Sequence, residues 1–167
     1  YVGCVALRMA VLRRIAGQDA VRSAATATRV GLALAVVPAL VLLVAAPQVV
    51  DAVYGAEFAA AVTPARVLVP GTVLLGLHLP LFDLLTVRGE GRYLLAAATT
   101  VVAAQVVALV VLLPDAGIQG AAWTSAAAYA AVFAAVASRV RRVTGVAWRE
   151  LFVARRSDLR ALAAGRA

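Results

Sequence analysis

Apolar stretches of membrane-crossing length alternate along this chain with short segments that hold nearly all of its charge. Residues 31–50, 93–113 and 118–138 contain no charged side chain, and 64–87 is interrupted only by Arg66, His78 and Asp83. Twenty helical residues at 1.5 Å each cover about 30 Å, the thickness of the hydrocarbon layer. The pattern therefore predicts four spanning helices at about 31–50, 64–87, 93–113 and 118–138. The expected fold is all-α and integral to the membrane, an antiparallel bundle of transmembrane helices. Tyr1 to Leu12 is apolar but too short to span, so residues 1–29 read as the end of a truncated transmembrane helix and a polar connection. Residues 139–167 read as a basic tail.

Glycine and proline punctuate these stretches. Pro114, Asp115 and Gly117 are poor helix continuers and predict a tight turn between the last two spans. Gly55 is suited to a left-handed helix stop after Tyr54, and Pro64 to a first helical turn. Pro38 should kink the first full span. After the Pro114 turn, Ala122, Ala126, Ala130, Ala134 and Ser138 recur every fourth residue; before it, Ala96, Thr100, Ala104 and Ala108 do the same. Ridges of small side chains let helix backbones approach closely in lipid, so the two helices are expected to pack as a tight antiparallel pair.

Composition sharpens this picture. Hydrophobic residues make up 64% of the chain, far above globular usage. The net charge of +8 would suit a nucleic-acid partner, but the charges lie in the connections and the tail, with little polar or aromatic surface for bases, so no nucleic acid is expected. Their placement reports topology instead. Arginines at 8, 13, 14, 22 and 29, at 88 and 92, and from 139 onward mark cytoplasmic segments, whereas Asp51, Glu57 and Asp115 mark outer ones. Every connection agrees with one alternation, which leaves the C-terminus in the cytoplasm. In the tail, Trp148, Leu151, Phe152, Leu159 and Leu162 lie near one helical face interrupted by Arg155, the pattern of an interfacial helix on anionic lipid.

Polar residues inside spans are costly and are the candidate functional groups. His78 lies about 4.5 Å from its helix midpoint by helical rise, where it would meet a sugar hydroxyl, a pyrophosphate or a coupling proton, or bond a carbonyl freed by a nearby proline. Asp83, about 12 Å from the midplane, would act in ion coupling or pair with Arg88. Arg66, near the outer end, would either snorkel to headgroups or hold a pyrophosphate through its planar fork. Gln105 is placed to join helices by a hydrogen bond. No catalytic constellation, phosphate-binding loop or metal-ligand spacing is present, Cys4 is the single cysteine, and no cofactor is expected.

Pro114-Asp115-Ala116-Gly117-Ile118-Gln119-Gly120-Ala121-Ala122, followed by Ser125 and Tyr129, resembles a motif near the C-terminus of bacterial polysaccharide flippases, the O-antigen and teichoic-acid type transporters of the multidrug/oligosaccharidyl-lipid/polysaccharide exporter superfamily. Two further stretches resemble the same family in order: residues 47–58, PQVVDAVYGAEF, and residues 87–92, VRGEGR. The resemblance spans about residues 29–138. It implies the C-terminal bundle of a two-bundle transporter in the bacterial plasma membrane, partnered by the remaining N-terminal helices and membrane lipids. The implied activity is flipping of undecaprenyl-pyrophosphate-linked oligosaccharide for surface polysaccharide assembly, with Arg66 and His78 as candidate substrate-binding residues and Asp83 as a candidate coupling residue. Alternatives are a drug/cation antiporter of the same superfamily and a non-transporting scaffold of envelope biosynthesis. An enzyme on the same lipid would need a sizeable catalytic loop, and the connections are short, so no enzyme is expected.

Overall fold

A computed structural model describes residues 20–152. They form α1 (Ala20–Tyr54), a 3-10 turn (Ala56–Ala61), α2 (Val62–Val87), α3 (Gly91–Thr144) and the short α4 (Trp148–Phe152). Length and composition suit α1, the unit Ala56–Val87 and α3 to crossing a membrane.

A straight helix as long as α3 would reach about 80 Å, far more than a bilayer requires. Gly117 resolves this by leaving helical geometry at φ 52 and ψ −141, which splits α3 into arms 91–116 and 118–144. A side chain at 117 would find open space, so the constraint is in the backbone, where positive φ favours glycine. Pro114 and Asp115, grouped with Gly117 in the expected turn, stay helical.

Cross-helix bonds give the chain directions. Tyr93 Oη donates to the Ala135 carbonyl at 3.0 Å and Gln105 Nε2 to Ser125 Oγ at 3.3 Å, so partners move in opposite senses along the two arms of α3. The arms are antiparallel, and Gln105 joins them as its type suggested. Likewise Gly31 lies against Leu77 and Leu43 against Arg66, which makes α1 antiparallel to α2. By contrast Gly71 lies against Ala126 and Arg88 against Val143, so the second arm runs parallel to α2.

A close backbone approach also lies outside the hairpin, on a helix the small residues did not point to. A Cβ on Gly71 would stand 3.1 Å from Ala126 Cα, and Ala122 is buried, so the ridge on the second arm turns toward α2 rather than toward the first arm. Glycine on α2 supplies the room, since it removes the Cβ that would hold the backbones apart. The ridge continues less far than its spacing implied, because Ala134 is exposed. On the first arm Ala96, Thr100 and Ala104 are also exposed, and Thr100 Oγ1 donates to Ala96 of its own helix.

One continuous core gathers the N-terminal part of α1, the C-terminal part of α2 and both ends of α3. Ala24, Ala25, Ala27, Leu81, Leu84, Leu85, Leu94, Val136, Ala137, Val140 and Leu151 are buried together there. α1 begins at Ala20, so Arg22 and Arg29, expected in a connection, belong to a helix. Its alanine-rich first turns are good helix formers with a core to pack against. The tail departs from a purely interfacial helix: Trp148 is 40% exposed, but Leu151 is 1% exposed and seated in the core. An apolar side chain with a protein pocket within reach is buried by protein instead of lipid. Leu159, Leu162 and Arg155 lie outside the described residues.

Away from this core the surface is apolar. Val37 and Val44 on α1, and Val107 and Val110 on the first arm of α3, are 63–74% exposed. Contiguous surface of this kind suits hydrocarbon and is unfavourable in water.

Candidate functional site

Arg66 is held by a local feature of the backbone. Within a helix the N–H of residue 47 would donate to the carbonyl of Leu43, but residue 47 is proline and has no N–H. Arg66 Nε donates to that Leu43 carbonyl at 2.9 Å. The guanidinium, carried in the first turns of α2, thus supplies the hydrogen bond that Pro47 withholds from α1. An unmet carbonyl in an apolar medium costs several kcal/mol on the order of the amide transfer penalty. Arg66 is otherwise exposed and has no ion-pair partner among the described residues. Nε is occupied, and the terminal amino groups of the fork make no further hydrogen bond among the described residues.

His78 is half-buried in α2. Its Nδ1 donates to the carbonyl of Leu75, one turn back on the same helix. The carbonyl freed by Pro80 is that of Gly76, the residue next to Leu75. The ring also meets Phe82 edge-on, with centroids 6.1 Å apart.

Asp83 is 4% exposed, between Leu81, Leu84 and Leu85 of the core. Its side chain is thus largely withdrawn from solvent. Arg88, the partner expected from sequence, turns Nη1 to the Val143 carbonyl at 3.4 Å.

These three residues do not form one site. By helical rise Arg66 and His78 are about 18 Å apart along α2, and about a third of a turn apart around it. His78 and Asp83 are roughly 7.5 Å apart along the axis and more than a third of a turn around it. Each candidate belongs to a different level and face of the same helix.

Two arrangements at the arginine-rich end escaped sequence reasoning. Glu90 Oε2 accepts from Arg139 Nη2 at 2.7 Å and from Nε at 3.1 Å, while the same guanidinium lies over the Tyr93 ring at 4.8 Å. This clasp closes the open end of the α3 hairpin. Arg29, 7% exposed, donates from Nη1 to the Glu150 carbonyl and from Nη2 to Thr26 Oγ1 at 3.1 Å, which ties α4 beneath α1. Both join residues far apart in the chain, and no local spacing signals them.

The two arms of α3 also leave a groove between them. It is about 520 Å³ and is walled mainly by Thr100, Ala104 and Ala108 on one side and by Trp123, Ala127 and Ala131 on the other. Gln105 and Thr124 are the polar residues within it besides Thr100. No family model, curated protein or solved structure matches the chain, so the function of these features is argued from their own geometry.

Proposed function

We propose that the chain is part of a polysaccharide flippase, a non-enzymatic transporter that moves undecaprenyl-pyrophosphate-linked oligosaccharide across the bacterial plasma membrane. In this reading α1 to α3 belong to the C-terminal one of two bundles, the other being contributed by further N-terminal helices. The resemblance of residues 47–58, 87–92 and 114–129 to that family motivates the reading. The observation that carries it is Arg66, an exposed guanidinium in a largely apolar span, steadied through Nε with its two terminal amino groups uncommitted among the described residues. A fork held in this way suits bidentate contact with a pyrophosphate.

The same bond gives Arg66 a purely structural role as the cap of Leu43, so the test must separate the two. Pro47→Ala returns the backbone N–H to Leu43 and makes the cap unnecessary. Surface polysaccharide display would be measured in cells whose only flippase carries the variant, at matched membrane abundance. Arg66→Ala should abolish most display, Arg66→Lys should keep part of it, and Pro47→Ala combined with Arg66→Ala should remain defective. Full rescue by Pro47→Ala would reduce Arg66 to a cap and remove the phosphate role. Normal display with Arg66→Ala alone would do the same and leave His78 as the stronger candidate.

A further inference from the structure

A second cleft lies one helical turn from Arg66, at the end of the molecule opposite the arginine-rich one. It is about 360 Å³ and sits between the last turns of α1 and the 3-10 turn, with Pro47, Gln48, Asp51, Gly55, Ala59 and Val62 in its walls. Two bonds fix the turn on its far side: Gly55 N–H donates to the Asp51 carbonyl at 2.9 Å, and Phe58 N–H to the Gly55 carbonyl at 3.1 Å. The lining is mostly apolar, and Gln48 and Asp51 are the polar side chains in it. Both are exposed, and neither side chain makes a hydrogen bond among the described residues.

Arg66 borders this cleft. Its Nε bonds the Leu43 carbonyl, which in a helix points at residue 47, so the guanidinium lies beside Pro47; on α2, Val62 stands one turn before Arg66. Pro47 and Val62 both wall the cleft, so the cation and the cavity share two neighbours. Asp51 stands one turn beyond Pro47, about 6 Å further along the α1 axis and away from the arginine-rich end. The order along α1 is therefore cationic fork, apolar floor, then carboxylate and carboxamide.

We infer that this cleft holds the sugar joined to the phosphate at Arg66, the two together forming a site for a glycosylated pyrophosphate lipid. The inference rests on the flippase reading of Arg66 and gives the sugar its place. A carboxylate only accepts hydrogen bonds, so it calls for a group rich in donors, and its charge repels a second phosphate. A carboxamide both donates and accepts, which suits hydroxyl and acetamido groups. The apolar floor offers a surface for the C–H face of a sugar ring. A small ammonium headgroup would satisfy Asp51 but leave Gln48 and most of the cleft unused. The order of the lipid agrees with that of the site: tail within the spans, pyrophosphate at Arg66, sugar beyond it.

Native mass spectrometry of the purified full chain in detergent tests this, with three ligands titrated separately. They are undecaprenyl pyrophosphate, the same lipid bearing one N-acetylglucosamine, and phosphatidylethanolamine. The wild type should hold the glycosylated lipid about tenfold more tightly than the bare one, the worth of one or two hydrogen bonds to a charged group. Asp51→Ala and Ala59→Leu, both at exposed positions, should each bring the glycosylated lipid down to the level of the bare one and leave the bare one bound as before. Arg66→Ala should weaken both equally. Circular dichroism verifies that the variants fold. Equal binding of the two undecaprenyl lipids by the wild type, with both still dependent on Arg66, overturns the inference and leaves the phosphate role standing. Binding that ignores Arg66→Ala removes the phosphate role and the inference with it. Phosphatidylethanolamine held as tightly as the glycosylated lipid, and lost with Asp51→Ala, makes the cleft an ammonium site and overturns the inference as well.

Discussion

The arginine-rich end and the Gly117 end of the molecule are built from the same residue types but are held together differently. At the first, Leu81, Leu84, Leu85, Val140 and Leu151 are each at most 1% exposed, and Arg139 with Glu90 and Arg29 with Glu150 tie elements together. At the second, Leu112, Leu113 and Ile118 are 44–60% exposed, and the Arg66 bond to Leu43 ties α1 to α2. The difference teaches that hydropathy does not locate the core of a membrane chain. Lipid accepts leucine as readily as protein does, so the protein-packed region is found where residues must meet across helices, through glycine, alanine and specific hydrogen bonds.

The sharpest way to break this comparison concerns the sides the two ends face. With Cys4→Ser as background, a membrane-impermeant thiol reagent applied to intact cells should label Asp115→Cys and leave Arg92→Cys unlabelled. The effect is all-or-none, and the opposite pattern would invert the topology drawn from the arginine bias. Packing gives the next largest effect. Leu84→Ala should cost about 2–5 kcal/mol in detergent unfolding, whereas Leu113→Ala at the other end should stay within about 0.5 kcal/mol. Equal losses would mean that both ends are packed alike.

Between these extremes lies the contact of α2 with α3. Ala126→Leu should destabilise by about 1–3 kcal/mol, because its neighbour is the Gly71 backbone, while Ala127→Leu one residue along should have little effect on unfolding. A cost at 127 matching that at 126 would return the small-residue ridge to the hairpin interior. The smallest effect is expected from the clasp. Glu90 and Arg139 are partly exposed, at 21% and 33%, so a double-mutant cycle with Glu90→Gln and Arg139→Gln should yield a coupling below about 1 kcal/mol.

The sequence makes the helices legible because their lengths and breaks depend on local composition: uncharged runs of spanning length, Gly55 after Tyr54, Gly117 after Pro114. It shows less of which face meets which. The four-residue spacing of Ala122 to Ser138 identifies a face that permits close approach, but the partner is chosen by Gly71, on another helix. The candidate site is legible only as a set of residue types. Arg66, His78 and Asp83 stand out because charge is rare in such spans, yet their separation follows from helical geometry, and the cap on Leu43 needs tertiary contact between α1 and α2. Even so, one signal for it was present: a proline inside a span strands the carbonyl four residues earlier, and that carbonyl must find a donor.

That pairing of proline and arginine has a direction when the chain changes by mutation. Losing Pro47 first restores a backbone amide and leaves Arg66 without a structural duty; losing Arg66 first strands a carbonyl in hydrocarbon. Lineages should therefore cross from the paired to the unpaired state through residue 47 more readily than through residue 66. Descendants that have replaced the proline become a natural experiment. Where arginine persists at 66 without a proline to serve, selection is holding it for something other than the helix, and the phosphate is the chemistry to look for.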